Sequence, residues 1–488
     1  MKHRILCALL CAALLLPTLG CAGGSGTPET STPVSAQATT VPEAPENTEA
    51  PGTDASVISP ALPAVTYDGY EFTVGCYDDD VLDAIYAEEQ SGETVNDAIY
   101  DRNLLIEDTY GVKVSGVSLS GDFAAGISAA VSSDEDAYAL ISGHDCTLWG
   151  LTLRGYFHDL RQMPHMDFSQ PWYPSYANDT YCIGGRQYMF TSYLSYLALS
   201  WAQCILINKT IAEDNGLEIP YASVLDGTWT LDAMIDMTKG IANDLNGDGV
   251  WDASDRYGMA SGYKMYSFQG SYLDCYARGE DGRITLDFDR DRLVSLCEKM
   301  VAFMTGPDAY ITGAEPHTAN TMFINGQSLF NYSKLQAMTT FELRDSNVEY
   351  GVLPIPKWNT EQENYVSGTS DRQFAALITN DETERIGVIT EALSSAGYSI
   401  LREAYFDTAL STKFTPDRES VQMLSIISDT LAVDLSFLNT ESGVVGLGRT
   451  LMYALSAKTT ALSSYLAKIT RAEQKTVDKI NSFYFGAE

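Results

Sequence analysis

The chain has 488 residues, of which 45% are hydrophobic, and it carries 65 acidic against 30 basic side chains, a formal net charge of −35. So negative a surface repels phosphate backbones and excludes nucleic acid as a partner. The part of the chain that follows the N-terminal region is long enough to form two or three separately packed units.

The first twenty residues predict an export signal. Lys2 and Arg4 precede a mostly apolar run, residues 5–16, which is too short to span a bilayer. The sequence Leu19-Gly20-Cys21 then resembles a bacterial lipobox, although Thr18 stands where that pattern prefers an apolar residue. We expect cleavage after residue 20, lipidation of Cys21, and anchoring on the outer face of the bacterial cytoplasmic membrane. The alternative is an ordinary secreted protein that is cut nearby.

The segment that follows is predicted to be a disordered tether. Residues 22–66 are rich in Pro, Thr, Ser, Ala, Gly and Glu and contain no Lys or Arg. Such a composition cannot bury enough apolar surface to offset the entropy lost on ordering. Residues 21–66 would therefore hold a folded domain clear of the membrane.

The next part of the chain alternates strands and helices. We expect strands at 71–75, 112–114 and 138–142, and helices at about 94–110 and 123–131. This order predicts an α/β lobe with a parallel sheet. Ligands of such sheets bind beyond the carboxyl ends of the strands, where Asp78 to Asp80 and His144-Asp145 lie. Among them are Asp79 and Asp145. Both residues are therefore candidates for ligand binding.

Short motifs in the rest of the chain occur in a recognisable order. The longest runs are Trp201-Ala-Gln-Cys-Ile-Leu-Ile-Asn208-Lys209, then Gly216-Leu217, Pro220 and Gly227-Thr228-Trp229-Thr230. Weaker motifs stand before them at 96–103, 110–113, 171–173 and 183–188, and after them at 323–330 and 350–357. This order resembles that of the extracellular solute-binding proteins of ABC importers, and on length and aromatic content their oligosaccharide-binding subset.

The resemblance covers roughly residues 67–488 and implies a type II periplasmic-binding-protein-like α/β fold. Two lobes joined by hinge crossovers would close on a ligand. Lobe 1 would hold residues 67–180 and about 370–430, and lobe 2 about 181–369 and 431–488, with the C-terminal helices packed on lobe 2. The implied function is capture of a small solute, an oligosaccharide, and its delivery to ABC permease subunits.

One loop matches the twelve-residue calcium-binding loop. Oxygen ligands stand at positions 1, 3 and 5, a glycine at 6, a backbone carbonyl at 7, a water-mediated ligand at 9 and a carboxylate at 12. Here these are Asp244, Asn246, Asp248, Gly249, Val250, Asp252 and Asp255. Asp replaces the usual Glu at position 12, as in dockerin-like variants, which weakens Ca²⁺ binding or favours Mg²⁺. The loop predicts a structural Ca²⁺, and the alternative is a surface turn without metal.

Aromatic residues supply the candidates for sugar binding, because sugar rings stack their apolar faces on aromatic side chains. The candidates are Trp149, Trp172, Tyr173, Tyr176, Tyr193, Trp201, Tyr266, Tyr272 and Tyr332, each of which has core packing as its alternative role. Asp371 and Arg372 follow the predicted second crossover and are expected to face the cleft. A surface salt bridge is the alternative role for them and for Asp145. Trp172 is the first choice, since Pro171 fixes the approach of the chain.

Catalysis has little support in the sequence. The chain contains no GxSxG, HExxH or P-loop motif, and no GxGxxG between a strand and a helix. We therefore expect a non-enzyme. A carbohydrate-binding adhesin or sensor is the closer alternative, and a lipid-anchored glycan-active enzyme is the more remote one.

Overall fold

The computed structural model describes residues 60–119, 121–314, 317–339, 341–344, 346–369, 372–410, 418–438 and 446–486. The predicted export signal, Cys21, most of the predicted tether and Asp371 therefore lie outside the described residues. Among the residues described, no helix combines the length and the apolar character needed to cross a bilayer.

The strands fall into two main sheets and two short pairs. They are β1 (Tyr70–Cys76), β2 (Val112–Ser118), β3 (Leu140–His144), β4 (Gln203–Asn208), β5 (Tyr257–Ser261), β6 (Tyr276–Arg278), β7 (Ile284–Leu286), β8 (Ala309–Ile311), β9 (Ser328–Lys334), β10 (Tyr350–Leu353), β11 (Ser367–Gly368), β12 (Arg372–Ala375) and β13 (Leu431–Ala432).

The α-helices range from single turns to long packed rods. They are α1 (Asp79–Asp83), α2 (Thr94–Tyr110), α3 (Phe123–Ser132), α4 (Asp145–Thr152), α5 (Ser175–Tyr181), α6 (Leu197–Ser200), α7 (Lys209–Asp214), α8 (Tyr221–Leu225), α9 (Leu231–Thr238), α10 (Tyr266–Tyr272), α11 (Arg290–Met304), α12 (His317–Ile324), α13 (Gln336–Thr339), α14 (Phe341–Arg344), α15 (Thr383–Leu410), α16 (Arg418–Asp429), α17 (Thr450–Ser456) and α18 (Ser463–Phe485). Short 3₁₀ turns lie at Leu160–Gln162, Leu435–Phe437 and Leu447–Arg449.

The first sheet has the strand order β12-β3-β1-β2. β1 runs parallel to both β2 and β3, whereas β12 returns antiparallel beside β3. The predicted alternation of strands and helices is confirmed here. Gly111 ends α2 with a φ of 62° and donates its N–H to the carbonyl of Glu107, which turns the chain directly into β2. We call the lobe built on this sheet the first lobe.

The second sheet has the order β10-β4-β9-β5-β8 and defines the second lobe. β4 pairs antiparallel with β9 and β10, while β5 pairs parallel with β9 and β8. β4 is buried along its whole length, as expected for a strand with helices on both sides.

Two chain segments between the lobes run side by side. β11 precedes the return to the first sheet and pairs in parallel with β13, which follows α16. Ser367 lies opposite Leu431, and Gly368 lies opposite Ala432. The crossovers of the chain therefore support each other through backbone hydrogen bonds.

The C-terminal helix α18 packs on the cores of both lobes. Leu466 and Ile469 belong to the apolar cluster of the second sheet. Val477, Ile480 and Tyr484 belong instead to a cluster that includes first-lobe residues of α3 and α4. The sequence assigned this segment to the second lobe alone; the helix is long enough for each end to reach a different core.

The packed part of the chain begins before Tyr67. Leu62 and Val65, which composition assigned to the tether, lie half-buried against the core of the first lobe. Two apolar residues in a polar segment are only a weak sequence signal for packing. Their burial is nevertheless favourable because the core of the first lobe offers an apolar surface to cover them.

Candidate ligand-binding cleft

The ends of three strands of the first sheet bring polar side chains to one edge. Asp78 follows β1, and His144 is the last residue of β3. Arg372 begins β12 and lies directly opposite His144 in the antiparallel pairing. Because β12 returns antiparallel, its first residue meets the carboxyl end of β3, which brings the three side chains together.

Arg372 links these side chains. Its Nη2 lies 2.8 Å from Oδ2 of Asp78, and its Nη1 lies 2.8 Å from Nδ1 of His144. Asp78 also caps α1, since its Oδ1 accepts the N–H of Val81 at 3.0 Å. Burial, reinforced by the charge of Arg372, lowers the pKa of His144 to about 4. His144 is therefore neutral at physiological pH and accepts a hydrogen bond from the guanidinium.

Trp201 interacts with residues of both lobes. This half-buried indole stands just before β4. Nζ of Lys334, the last residue of β9, lies 3.0 Å from the centre of the ring, and Cζ of Arg372 lies 4.9 Å from it. One aromatic ring thus interacts with a cation from each sheet, and both contacts are cation–π interactions.

A cavity of about 600 Å³ reaches Asp145, the residue after His144, although the cluster residues themselves are not among its described wall residues. Asp145 lines it from the first lobe, and Tyr266 and Trp358 line it from the second. Gln203 links the cavity to the backbone of Trp201. Its side-chain amide donates to the hydroxyl of Tyr266 and to the backbone carbonyl of Trp201, each at 3.1 Å. The volume suits a small ligand with several polar groups.

The walls of the cavity combine aromatic rings with carboxylates. Asp145, Asp274, Glu361 and Asp434 line it together with one cation, Arg292. Burial raises the pKa of Asp434 to about 6, although the backbone N–H and hydroxyl of Ser436 oppose this by donating to its carboxylate. Such walls offer hydrogen-bond acceptors to hydroxyl groups and flat faces to sugar rings.

Five of the predicted ligand-binding candidates lie at or beside this cleft, including Tyr266 and Tyr272, which line the cavity. Asp145 lines the cavity, Arg372 centres the polar cluster, and Trp201 contacts both lobes. Asp79 is solvent-exposed in the first turn of α1, beside the Asp78 that makes the ion pair. Asp371 and the side chain of Tyr176 lie outside the described part of the structure.

The structure contradicts a ligand-binding role for Trp172 and Tyr173. Their side chains are 1% and 2% exposed in the core of the first lobe. The indole of Trp172 donates to Glu391 at 3.1 Å, and the Tyr173 hydroxyl donates to the same carboxylate at 2.6 Å. Both rings are already covered by protein, so neither offers a face to a sugar.

Tyr193 and Tyr332 also lie within the lobes. Tyr193 is 7% exposed and packs edge-on against Tyr398 of α15. Tyr332 is 8% exposed in β9, and its hydroxyl accepts the N–H of Ser267 at 3.3 Å. Ser267 lines the cavity, so Tyr332 supports the wall from behind rather than forming it. Of the other aromatic candidates, Trp149 is core and Tyr266 and Tyr272 line the cavity.

Sequence reasoning missed Lys334, and it placed Asp78 beyond the carboxyl end of the first strand without proposing it as a ligand-binding residue. Asp78 carried a usable signal, since an aspartate that precedes a helix is a typical N-cap residue. Lys334 carried none, because its place depends on the pairing of β9 with β4, which sets Lys334 opposite Gln203.

The calcium-type loop is held by hydrogen bonds within itself. The carboxylate of Asp244 accepts the N–H groups of Gly247 and Gly249 at 2.7 and 2.9 Å. Asp255 is fully buried and accepts the N–H groups of Leu245 and Asp252. Among the residues that the structure describes, no three His, Cys, Asp or Glu side chains converge as a metal site. Calcium binding by this loop stays a prediction.

No family model matches the chain, and no curated protein matches it. Solved structures do match over most of its length. The maltose/maltodextrin-binding domain MalE from Bdellovibrio bacteriovorus, bound to maltotriose, is 13% identical, with a TM-score of 0.54 over 84% of this chain and 100% of its own. A sugar transporter from Rhizobium etli in an open conformation is 14% identical, with a TM-score of 0.58 over 83% of this chain and 98% of its own.

A third match is the GacH receptor of Streptomyces glaucescens, solved unliganded and with acarbose. It is 13% identical, with a TM-score of 0.54 over 84% of this chain and 98% of its own. At such identities the similarity establishes the fold. The chain therefore has the two-lobe, mixed α/β fold of maltose-binding-protein-like solute-binding proteins, which confirms the fold class predicted from its sequence.

Proposed function

We propose that the protein captures an oligosaccharide in the cleft between its lobes and delivers it to an ABC permease. One observation carries the proposal: a cavity of about 600 Å³ is lined by Asp145 of the first lobe and by Tyr266 and Trp358 of the second. A ligand in this cavity contacts groups of both lobes. Contacts with both lobes are what allow a ligand to stabilise a closed state.

The chemistry of the walls favours a saccharide. Sugars present apolar C–H faces and a rim of hydroxyl groups, which match aromatic rings and carboxylates respectively. Tyr266 and Trp358 supply rings to the cavity, and Asp145 and Asp274 supply acceptors. The structural neighbours named for maltotriose, maltotetraose and cycloalternan support the same ligand class.

The proposals that the protein delivers its ligand to a permease and that it is anchored by lipid do not rest on the cavity. The permease follows from the resemblance in motif order and from the fold. The anchor follows from the lipobox-like sequence that ends at Cys21. With both, the protein would work outside the cytoplasmic membrane and hand its ligand to subunits within it.

Calorimetric titration with maltotriose, maltotetraose and cycloalternan tests the proposal, with small-angle scattering to follow lobe closure. We expect at least one saccharide to bind and to reduce the radius of gyration. Binding without compaction would favour an adhesin or sensor, as would normal saccharide uptake by cells that lack the gene. Release of shorter sugars from the titrated ligand would identify an enzyme instead.

A further inference from the structure

The calcium-type loop exposes an unusual amount of apolar surface. Leu245, Val250 and Trp251 are 44%, 59% and 51% exposed. An exposed tryptophan is informative, since this side chain is normally buried for most of its area. The folding of the loop does not explain why these apolar side chains are exposed, so the exposed surface is a candidate for binding.

Trp251 begins a row of aromatic rings. The centre of its ring lies 5.8 Å from that of Tyr257, which is buried in β5. Tyr257 stacks in turn on Tyr310 of β8, with ring centres 5.1 Å apart and planes inclined by 27°. The row extends from the loop across the two outermost strands at one edge of the second sheet.

A cavity of about 290 Å³ opens beside this row. Trp251, Tyr257 and Tyr310 line it, together with the turn that contains Thr305 and Pro307. Lys458 is the charged residue of its wall. Rings and a hydroxyl thus surround a space at the small end of the range for ligand pockets.

The loop holds its tryptophan in place before any ligand arrives. The hydroxyl of Tyr257 donates to the backbone carbonyl of Asp252 at 3.0 Å, one residue after Trp251. Asn243 and Arg256 close the base of the loop by exchanging two backbone hydrogen bonds, at 3.1 and 2.9 Å. A ring held in this way loses little freedom on binding, which favours affinity.

This surface is separate from the cleft. β8 is the edge strand of the second sheet, and β9 and β5 lie between it and β4. The cleft is built instead at Trp201, which precedes β4, and at Lys334, which ends β9. The two sites therefore do not share a wall residue.

We propose that Trp251 and Tyr310, with the buried Tyr257 packed between them, form a second saccharide-binding surface, for a neutral glucan chain that stacks a sugar ring on Trp251 beside the cavity. Sugar rings pair their C–H faces with aromatic rings, and a cavity with one charged wall residue suits a neutral ligand. A protein partner would need about 800 Å² of contact on this face. One loop and a small cavity fit a sugar ring better than such an interface. The surface would hold a polymer near the protein while the cleft takes short oligosaccharides.

Affinity electrophoresis of the full chain through gels that contain amylopectin or hydroxyethylcellulose tests the proposal. We expect one of the two glucans to retard the parent protein, and Trp251→Ala to weaken that retardation about tenfold. Trp251→Phe, which keeps a smaller ring, should retain part of it. Because Trp251 is half-exposed, melting temperatures should stay close to that of the parent, which separates loss of binding from loss of fold.

The control variant is Trp201→Ala, which alters the cleft. It should lose binding of maltotriose in calorimetry but keep the retardation by glucan. Equal retardation of the parent and Trp251→Ala overturns the second site, as does a parent that neither glucan retards. A dimer of the parent that Trp251→Ala dissociates in light scattering also overturns it, in favour of self-association. Saccharide binding in the cleft that survives any of these results leaves the proposed function intact.

Discussion

Arg372 and Asp78 are 294 positions apart in the chain, yet Nη2 of the first lies 2.8 Å from Oδ2 of the second. The pair joins the start of β12 to the loop behind β1 and holds the guanidinium beside Trp201. The Arg372 side chain is 5% exposed and that of Asp78 is 33% exposed, so the charges are only partly screened by solvent.

We expect Asp78→Asn to lower the free energy of unfolding by about 1–3 kcal/mol, because it leaves the buried guanidinium without its carboxylate. Asparagine still caps α1, so the helix itself should survive. Urea unfolding measures the change. Asp79→Asn is the matched control: this neighbouring carboxylate is exposed, and its loss should cost less than about 0.5 kcal/mol. Equal effects of the two variants would contradict the importance of the ion pair.

Substitutions of Trp201 and Trp172 should affect different properties, the first the affinity for saccharide and the second the stability of the fold. We expect Trp201→Ala to weaken saccharide binding about tenfold or more, because Lys334 and Arg372 lose the ring that holds a cation of each lobe at the cleft. Trp172→Phe should leave affinity unchanged but lower stability by about 1–3 kcal/mol, since Glu391 loses its indole donor. Calorimetric titration and thermal melting of both variants measure these effects. A loss of affinity in Trp172→Phe would show that Trp172 takes part in ligand binding and would contradict its assignment to the core.

Glu391 should make stability depend on pH. Burial raises the pKa of its carboxyl from 4.5 to about 7, although Tyr173, Asp167 and Trp172 donate hydrogen bonds that oppose the shift. Between about pH 4.5 and 7 the folded state therefore binds more protons than the unfolded state, and its contribution to stability falls as pH rises. We expect the melting temperature of Glu391→Gln to decline less across this window than that of the parent. Parallel profiles would assign the pH dependence to other groups.

The loop at 244–255 should respond to calcium if it binds the ion. Added Ca²⁺ would then raise the melting temperature, and a chelator would lower it, by mass action on the folded state. Trp251 lies within the loop, so its fluorescence should change at the same concentrations. Asp244→Asn should abolish both effects, whereas Asp236→Asn, an exposed change in α9, should not. No response in the parent, together with no metal in elemental analysis, would identify a bare turn.

Cys21 should decide where the protein resides. We expect Cys21→Ser to move it from the membrane fraction to the medium, because the thiol that would receive lipid is absent. Fractionation and immunoblotting measure the distribution. Cys76→Ser is the control, since this cysteine is buried in β1 and takes no part in anchoring. Membrane association that persists in Cys21→Ser would contradict the lipoprotein assignment.

The fold was largely predictable because its signals are local. Gly111 marks the end of α2 and the start of β2 within two residues. The cleft was less predictable because its signals are distant. Trp172 and Trp201 look alike in sequence, and distant contacts make Trp172 a core residue: it packs in the apolar cluster of the first lobe and donates to Glu391, 219 positions away. Lys334 reaches Trp201 through the pairing of two strands, which no local pattern reveals.

The helix that contributes to both cores also constrains the order of folding. Leu466 and Ile469 fill one apolar cluster, while Ile480 and Tyr484 fill another. The second lobe cannot complete its interior without the first turns of α18, and the first lobe cannot complete its interior without the last turns. A nascent chain would therefore stay open until α18 has been synthesised, and the two lobes should gain or lose their structure together. Late, concerted folding suits a polypeptide that we propose to cross a membrane before it acquires its shape.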